Sequence, residues 1–321
     1  MLRYNFLEKL IHEIFLGNKF VNKSLFEVEK FLFLKKKKIS KNFHIFISGL
    51  PRSGTTILLN FIYSTKEFAS LKYSNMPFLL SPNFSNIINK KKISKFKRLQ
   101  DDGIYYDLES PEAFDEFFFS ENKEFVKDEL LNYLSLILKS QNKNKYISKN
   151  NLNYKRISFI KSILPNSLFL IPIRHPLHHA YSLLNQHLNF SRLQKNDRFI
   201  MKYMKYLSHN EFGLSHKPWN NPVNHKNPND MNYWLEQWYL FYEKILKNSK
   251  YKKNCSFIIY EKLSNKNYLK NLLKKLNLNS DKNLNLKIFK NKNKNKNKIK
   301  FEYNKYIFKK SLKIYKKLSQ I

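Results

Sequence analysis

Apolar residues along the middle of the chain fall into short unbroken runs separated by helical patterns. Ile45-Phe46-Ile47, Tyr146-Ile147-Ser148, the run LFLIPI at 168–173 and residues 255–260 read as strands. Runs this short and this apolar suit a parallel sheet covered on both faces. Between them the spacing changes to three and four. Ile57, Leu58, Phe61 and Ile62 share one helical side, and residues 123–139 repeat through Leu130, Leu131, Leu134, Ile137 and Leu138. Helices are also expected after Lys149-Asn150-Asn151 as far as Leu164, over 179–190 and 198–207, and over 231–248 with Trp234, Trp238 and Ile245 on one side. Strands alternating with helices predict an α/β, three-layer fold with a central parallel sheet flanked by helices. Pro172 inside LFLIPI removes a ladder donor, so a strand end or a bulge is expected there.

Polar punctuation divides the chain into three parts. Residues 1–43 read as an amphipathic helical extension closing on the lysines 35–38, a solvated hinge. Glu8, Lys9 and Glu13 interrupt its apolar pattern, which is unlike a signal-peptide core. No run approaches the roughly 18 apolar residues of a membrane span. Residues 44–285 hold the alternating pattern, and 286–321 read as a basic low-complexity tail in which Asn and Lys alternate. Within the central part, Asp101-Asp102-Gly103 is a turn. Ser110-Pro111-Glu112 offers a cap, a first-turn proline and a dipole-matched carboxylate, which predicts a helix start.

Composition narrows the function less than the charge suggests. A hydrophobic fraction of 42% with 16% aromatic residues excludes a disordered chain. A formal net charge of +36 would ordinarily indicate nucleic acid or an anionic membrane. Yet only seven of the 60 basic residues are Arg, and Asn, Ile, Phe and Tyr are plentiful while glycines number 5. An A/T-rich coding bias produces that combination, so much of the charge lies on solvated faces, and no specific nucleic-acid partner is expected. The single cysteine, Cys255, excludes an intrachain disulfide and fits a cytoplasmic setting. No Cys/His cluster has metal-ligand spacing, and no metal is expected.

The chemistry gathers at Gly49-Leu50-Pro51-Arg52-Ser53-Gly54-Thr55-Thr56, directly after the first strand and at the start of a helix. That order aims backbone N–H groups and a helix dipole at one point, which suits phosphate. The glycine spacing fits a Walker A loop, but Thr55-Thr56 stand where that motif has Lys and then Ser or Thr. The basic residue lies inside the loop instead, at Arg52. Pro51-Arg52-Ser53-Gly54-Thr55-Thr56 resembles throughout the 5′-phosphosulfate loop of the sulfotransferases that use 3′-phosphoadenosine-5′-phosphosulfate (PAPS). The resemblance implies a P-loop-like fold and a donor site made by Gly49, Pro51, Arg52, Ser53, Gly54, Thr55 and Thr56. A second match is Arg174 ending a strand, with Pro176 two residues on and Ser182 eight on. In the same family that arrangement holds the 3′-phosphate. Tyr260-Glu261-Lys262-Leu263 resembles a late turn of these enzymes, with a structural role. Residues 110–118 (SPEAFDEFF) and 203–213 (YMKYLSHNEFG) resemble a bacterial subgroup whose acceptor is generally unassigned.

What the resemblance implies is transfer of a sulfuryl group from PAPS to a hydroxyl or amine. Transfer needs charge stabilisation on the sulfonate and the leaving phosphate, and a base for the acceptor. Arg52 and the loop amides answer the first need, with Lys149 as a further cation at a strand end. For the base, relatives use a His or Glu. Residues 73–80 contain neither, which leaves Asp102, Glu109, Glu112, His209 and Glu211, with Glu112 and Asp102 favoured. Two alternatives differ in class. A P-loop kinase or phosphotransferase would want the missing lysine and a Walker B carboxylate. A non-enzymatic basic binding module would leave both motifs unexplained. The acceptor (saccharide, lipid, protein or metabolite) is not readable from the residues.

Overall fold

The computed structural model describes residues 5–34, 39–88, 96–97, 105–121, 127–279 and 302–321. Its strands are β1 (His44–Ile47), β2 (Phe68–Ala69), β3 (Phe96–Lys97), β4 (Tyr105–Tyr106), β5 (Lys145–Lys149), β6 (Ser167–Ile173) and β7 (Cys255–Ile259). Five of them form one parallel sheet in the order β2-β5-β1-β6-β7, while β3 and β4 make a separate antiparallel pair. The helices are α1 (Phe6–Gly17), α2 (Lys19–Phe33), α3 (Thr55–Tyr63), α4 (Pro82–Ile88), α5 (Asp115–Glu121), α6 (Lys127–Ser140) and α7 (Ile157–Ile163). They continue with α8 (Pro176–Asn196), α9 (Arg198–Tyr206), α10 (Met231–Lys247), α11 (Ser249–Asn254), α12 (Lys266–Lys275) and α13 (Lys305–Leu318). None of the described helices is long and apolar enough to cross a membrane.

Side-chain alternation on the central strands makes the layers. In β1, Phe46 points to one face of the sheet with Phe169, Ile171 and Ile173 of β6, where they meet Ile157, Ile160, Trp238 and Phe241. Ile45 and Ile47 point to the other face with Leu170, against Leu58, Leu59, Phe61 and Ile62 of α3 and Leu272 and Leu273 of α12. Each such buried side chain contributes about 1.5–3 kcal/mol. His44 opens β1 fully buried, accepting from the Tyr146 amide at Nδ1 (3.1 Å) and donating from Nε2 to the Ile39 carbonyl (2.9 Å). Burial pushes its pKa down, and the neutral ring satisfies both neighbours.

Strand order decides where a ligand can bind. The chain reaches β5 on one side of β1 and then crosses to β6 on the other, so the crevice opens at the carboxyl end of β1. Of two local expectations, one holds in part and one is revised. Pro172 makes no bulge: it stays in register opposite Ile258 of β7, one residue before the end of β6 and beyond the last β1 pair, as a strand-end proline does. Leu170 turns its carbonyl toward β1, where the Ser48 amide bonds it (2.9 Å). Pro172, two residues on, faces the same side after β1 has turned away, so its missing N–H costs no ladder bond. Ser110-Pro111-Glu112 does not start a helix, because Pro111 bridges to Lys72 and the Glu112 amide donates to the Leu71 carbonyl. Helix α5 begins at Asp115, where Asp115 and Glu116 supply the first-turn charge instead. The Asp101–Gly103 turn and the Asn/Lys alternation fall outside the described residues.

The stretch assigned to a tail contains α13, whose Ile314 and Leu318 enter the main core. It packs on α8 and α10. The N-terminal helices are also anchored, with Leu16 and Phe26 in the same core. Glu29, fully buried, accepts from the Asn83 amide and side chain (2.7 Å each) and from the Phe84 amide (3.1 Å).

Candidate active site

Three strand ends build the site, and the first is the loop after β1. Ser48 ties its base to both neighbouring strands, donating to the Asn151 carbonyl (3.2 Å) and accepting from the Tyr154 amide (2.8 Å), while its amide bonds β6. The loop then takes the left-handed region three times in six residues, at Gly49 (φ 126°), Arg52 (φ 68°) and Gly54 (φ 99°). Such a curl turns successive amides inward into an anion-binding concavity. Ser53 is fully buried and donates its hydroxyl to the Leu50 carbonyl (2.7 Å), so it clamps the loop upon itself. Helix α3 starts on Gly54 without a side-chain cap. The first-turn amides of Thr55, Thr56 and Ile57 therefore have no acceptor within the helix. Thr55 is buried and Thr56 half-buried.

Gly54 is where the loop meets the late Tyr260 turn. A Cβ there would stand 2.6 Å from Tyr260 Cδ2, on a backbone that L side chains rarely adopt. Gly54→Ala is expected to lower stability by about 1–3 kcal/mol, read as a lower urea midpoint with unchanged slope. An unchanged midpoint would mean that neither the Tyr260 contact nor the φ of 99° opposes a side chain there.

The second strand end carries Arg174. Its Nη1 donates to the Arg52 carbonyl (3.1 Å), and its guanidinium stacks 4.6 Å from the centre of the Tyr260 ring. Arg52 in turn donates from Nε to Ser182 Oγ (3.3 Å) on α8. The two sequence motifs thus meet at one point, between the N-termini of α3 and α8. Burial, and after it the Arg52 charge, disfavours the protonated Arg174, with the Tyr260 and Glu261 side acting the other way. The backbone beneath is fixed independently of the side chain: Trp238 donates to the Arg174 carbonyl (3.2 Å), and Glu261 accepts from the His175 amide (2.8 Å). Tyr315 of α13 donates to the other oxygen of Glu261 (2.8 Å), so the C-terminal helix reaches the same corner.

His179 belongs to this corner and was not singled out from the sequence. It is fully buried on α8 and donates from Nε2 to the Pro51 carbonyl (2.7 Å). Burial, opposed by that bond and reinforced by Arg174 and Arg52, pushes its pKa to about 3, so it stays neutral. The signal was available: His179 lies three residues before Ser182 on the helix that Pro176 opens, on the same side.

The third strand end is that of β5, beside β1 in register Ile47 with Lys149. Lys149 is buried there. Asn151 donates to Glu211 Oε1 (3.1 Å), and His209 Nδ1 lies 3.5 Å from Glu211 Oε2. Burial alone would favour the neutral acid, but His209 and Lys149 hold the Glu211 carboxyl at about 2. Of the other carboxylates named from the sequence, Glu112 is buried with both oxygens engaged, Oε2 by Tyr73 OH (2.8 Å) and Oε1 by the Ala113 amide (2.9 Å). Glu109 pairs with Lys72 (2.8 Å). Asp102 lies outside the described residues. Among those described, no group of three or more His, Cys, Asp or Glu side chains could hold a metal ion.

Comparison with known proteins adds a family. A sequence model of the sulfotransferase family matches residues 44–281. Among solved structures, the chain is similar to sulfotransferase STF9 from Mycobacterium avium, with a TM-score of 0.47 and 11% identity, covering 95% of this chain and 83% of that one. No curated protein matches the chain.

Proposed function

The chain belongs to the sulfotransferase family, and from that premise we propose that it transfers a sulfuryl group from PAPS to a hydroxyl or amine of its acceptor. The observation that carries this reading is the meeting of Arg52, Arg174 and Ser182 between two helix N-termini. Like charges held together are costly unless an anion of matching shape neutralises them. Two guanidiniums and two positive helix ends suit a ligand with two anionic groups. The residues present fit PAPS. The Gly49–Thr56 amides and Arg52 would hold the 5′-phosphosulfate, and Arg174 and Ser182 the 3′-phosphate. PAPS would supply the sulfuryl group and a phosphate leaving group. The chain's part is to fix the donor, to keep Arg52 beside the charge that develops, and to take the acceptor proton.

The kinase alternative is weaker here, because no lysine follows Gly54 and Arg52 occupies a different place in the loop. A basic binding module gives no reason for two arginines to share one corner of the sheet. The test is a thermal shift with 3′,5′-ADP, 5′-ADP and ATP-Mg, followed by transfer assays with and without EDTA. 3′,5′-ADP is expected to give the largest shift, with turnover insensitive to EDTA. A larger shift with ATP-Mg, or activity abolished by EDTA, would replace this reading with the kinase.

A further inference from the structure

Residues 110–118 and 203–213, far apart in the chain, meet at one cavity. Glu116 comes from the first stretch, and Ser208, His209 and Glu211 from the second, with Asn150 and Asn151 from the end of β5 between them. Its volume is about 10 Å³, room for one water or one hydroxyl group. It shares the sheet edge with the Arg52 loop, since Asn151 is bonded to Ser48 at the loop's base.

The second stretch is held with care. Ser208 adopts φ 57°, a left-handed conformation that costs a non-glycine residue free energy and persists only where its surroundings enforce it. The enforcing bonds run from the His209 amide to the Met204 carbonyl (2.9 Å), from the Lys217 amide to the Asn210 carbonyl (2.8 Å), and from His216 Nδ1 to the Glu211 carbonyl (2.8 Å). The outcome is a His209 ring 26% exposed, with Nδ1 turned to Glu211. A proton on Nδ1, aimed at that carboxylate, leaves the Nε2 lone pair available. The second carboxylate of the cavity is already matched: Glu116 takes Arg156 Nη2 on both oxygens (2.7 and 2.8 Å) and Asn150 Nδ2 (2.7 Å). Glu112 is likewise committed, as described above.

We propose that the cavity receives the acceptor hydroxyl and that His209, oriented by Glu211, is the base that takes its proton. The proposal rests on the sulfuryl-transfer reading. In the step, the acceptor O–H gives its proton to His209 Nε2 while the oxygen lone pair forms a new S–O bond. The S–O bond to the 5′-phosphate breaks, and its electron pair leaves on 3′,5′-ADP, beside Arg52. Glu211 then faces an imidazolium. Among the described residues, charged groups beside the cavity include the Glu116–Arg156 pair, from α5 and the turn after β5, and Lys149 of β5, which acts on Glu211.

The experiment uses the full chain and two simple acceptors, water and 4-nitrophenol, with release of 3′,5′-ADP from PAPS as the rate and calorimetry for 3′,5′-ADP binding. His209→Gln is expected to lower kcat on the order of 10², to leave 3′,5′-ADP affinity within about twofold, and to remove the acidic limb of the rate profile. Added imidazole should partly restore His209→Ala, which a merely structural role would not allow. Glu211→Gln, which keeps the ring and the Asn151 contact, should lose less. Wild-type turnover and an unchanged pH profile in His209→Gln would overturn the proposal. So would a wild-type protein that binds 3′,5′-ADP but releases none from PAPS with either acceptor. Failure of the wild type to bind 3′,5′-ADP would instead remove the donor reading, and this proposal with it.

Discussion

Arg52→Ala is expected to fold normally and to lose sulfuryl transfer by about 10²–10³ in kcat, the cost of removing one preorganised donor from developing charge. The fold should tolerate the change for a local reason. Arg52 already sits at φ 68°, so the backbone strain is present before and after substitution. Its carbonyl, which accepts from Arg174, stays in place, and so do the Ser53–Leu50 clamp and the His179–Pro51 bond. What disappears is the guanidinium and its contact to Ser182. Arg52→Lys is the sharper companion, because an ammonium restores the charge without the planar fork. Near-normal turnover in Arg52→Ala, with melting temperature and 3′,5′-ADP binding unchanged, would remove the Arg52 guanidinium from the catalytic machinery.

Arg174→Ala is expected to abolish the preference for 3′,5′-ADP over AMP, a change of tenfold to a hundredfold in relative affinity. Backbone amides and a helix dipole recognise charge and accept any 5′-phosphate. Discrimination needs a second anion site on the neighbouring strand, and a charge-assisted bond there contributes about 1.5–3 kcal/mol. Arg174 is suited to it, buried against Tyr260 with its backbone held by Trp238 and Glu261. AMP binding should change little in the variant, and Ser182→Ala should show the same selective loss to a smaller degree. Calorimetry with the two nucleotides decides it. Equal weakening of both would make Arg174 a support for the Arg52 carbonyl and nothing more.

The local chemistry of this chain was legible without the structure wherever it is written in consecutive residues. The run Ile45–Ile47, the turn from Gly49 to Gly54 and the helix after it gave strand, loop and helix in their observed order. Period-two and period-3.6 patterns report burial directly, and a glycine between them marks a backbone that other residues resist. Arg174 and Ser182 were equally visible, being fixed in spacing along one strand and one helix. Tertiary contacts decided the rest. The helix start at Ser110 failed because Pro111 and Glu112 pair with Lys72 and Leu71, some forty residues earlier, and capping preference is weak against such a bond. α13 was hidden by the Asn- and Lys-rich stretch before it, since its apolar side acquires meaning only against α8 and α10. Glu112 was preferred as a base on its residue type, whereas its two engaged oxygens are a property of the fold. The sequence alone picked out the candidate residues for meeting an anion. Only the parallel order β5-β1-β6 decided that Arg52, Arg174 and the His209–Glu211 pair share one edge, because neighbouring strands join segments that the chain itself keeps more than a hundred residues apart.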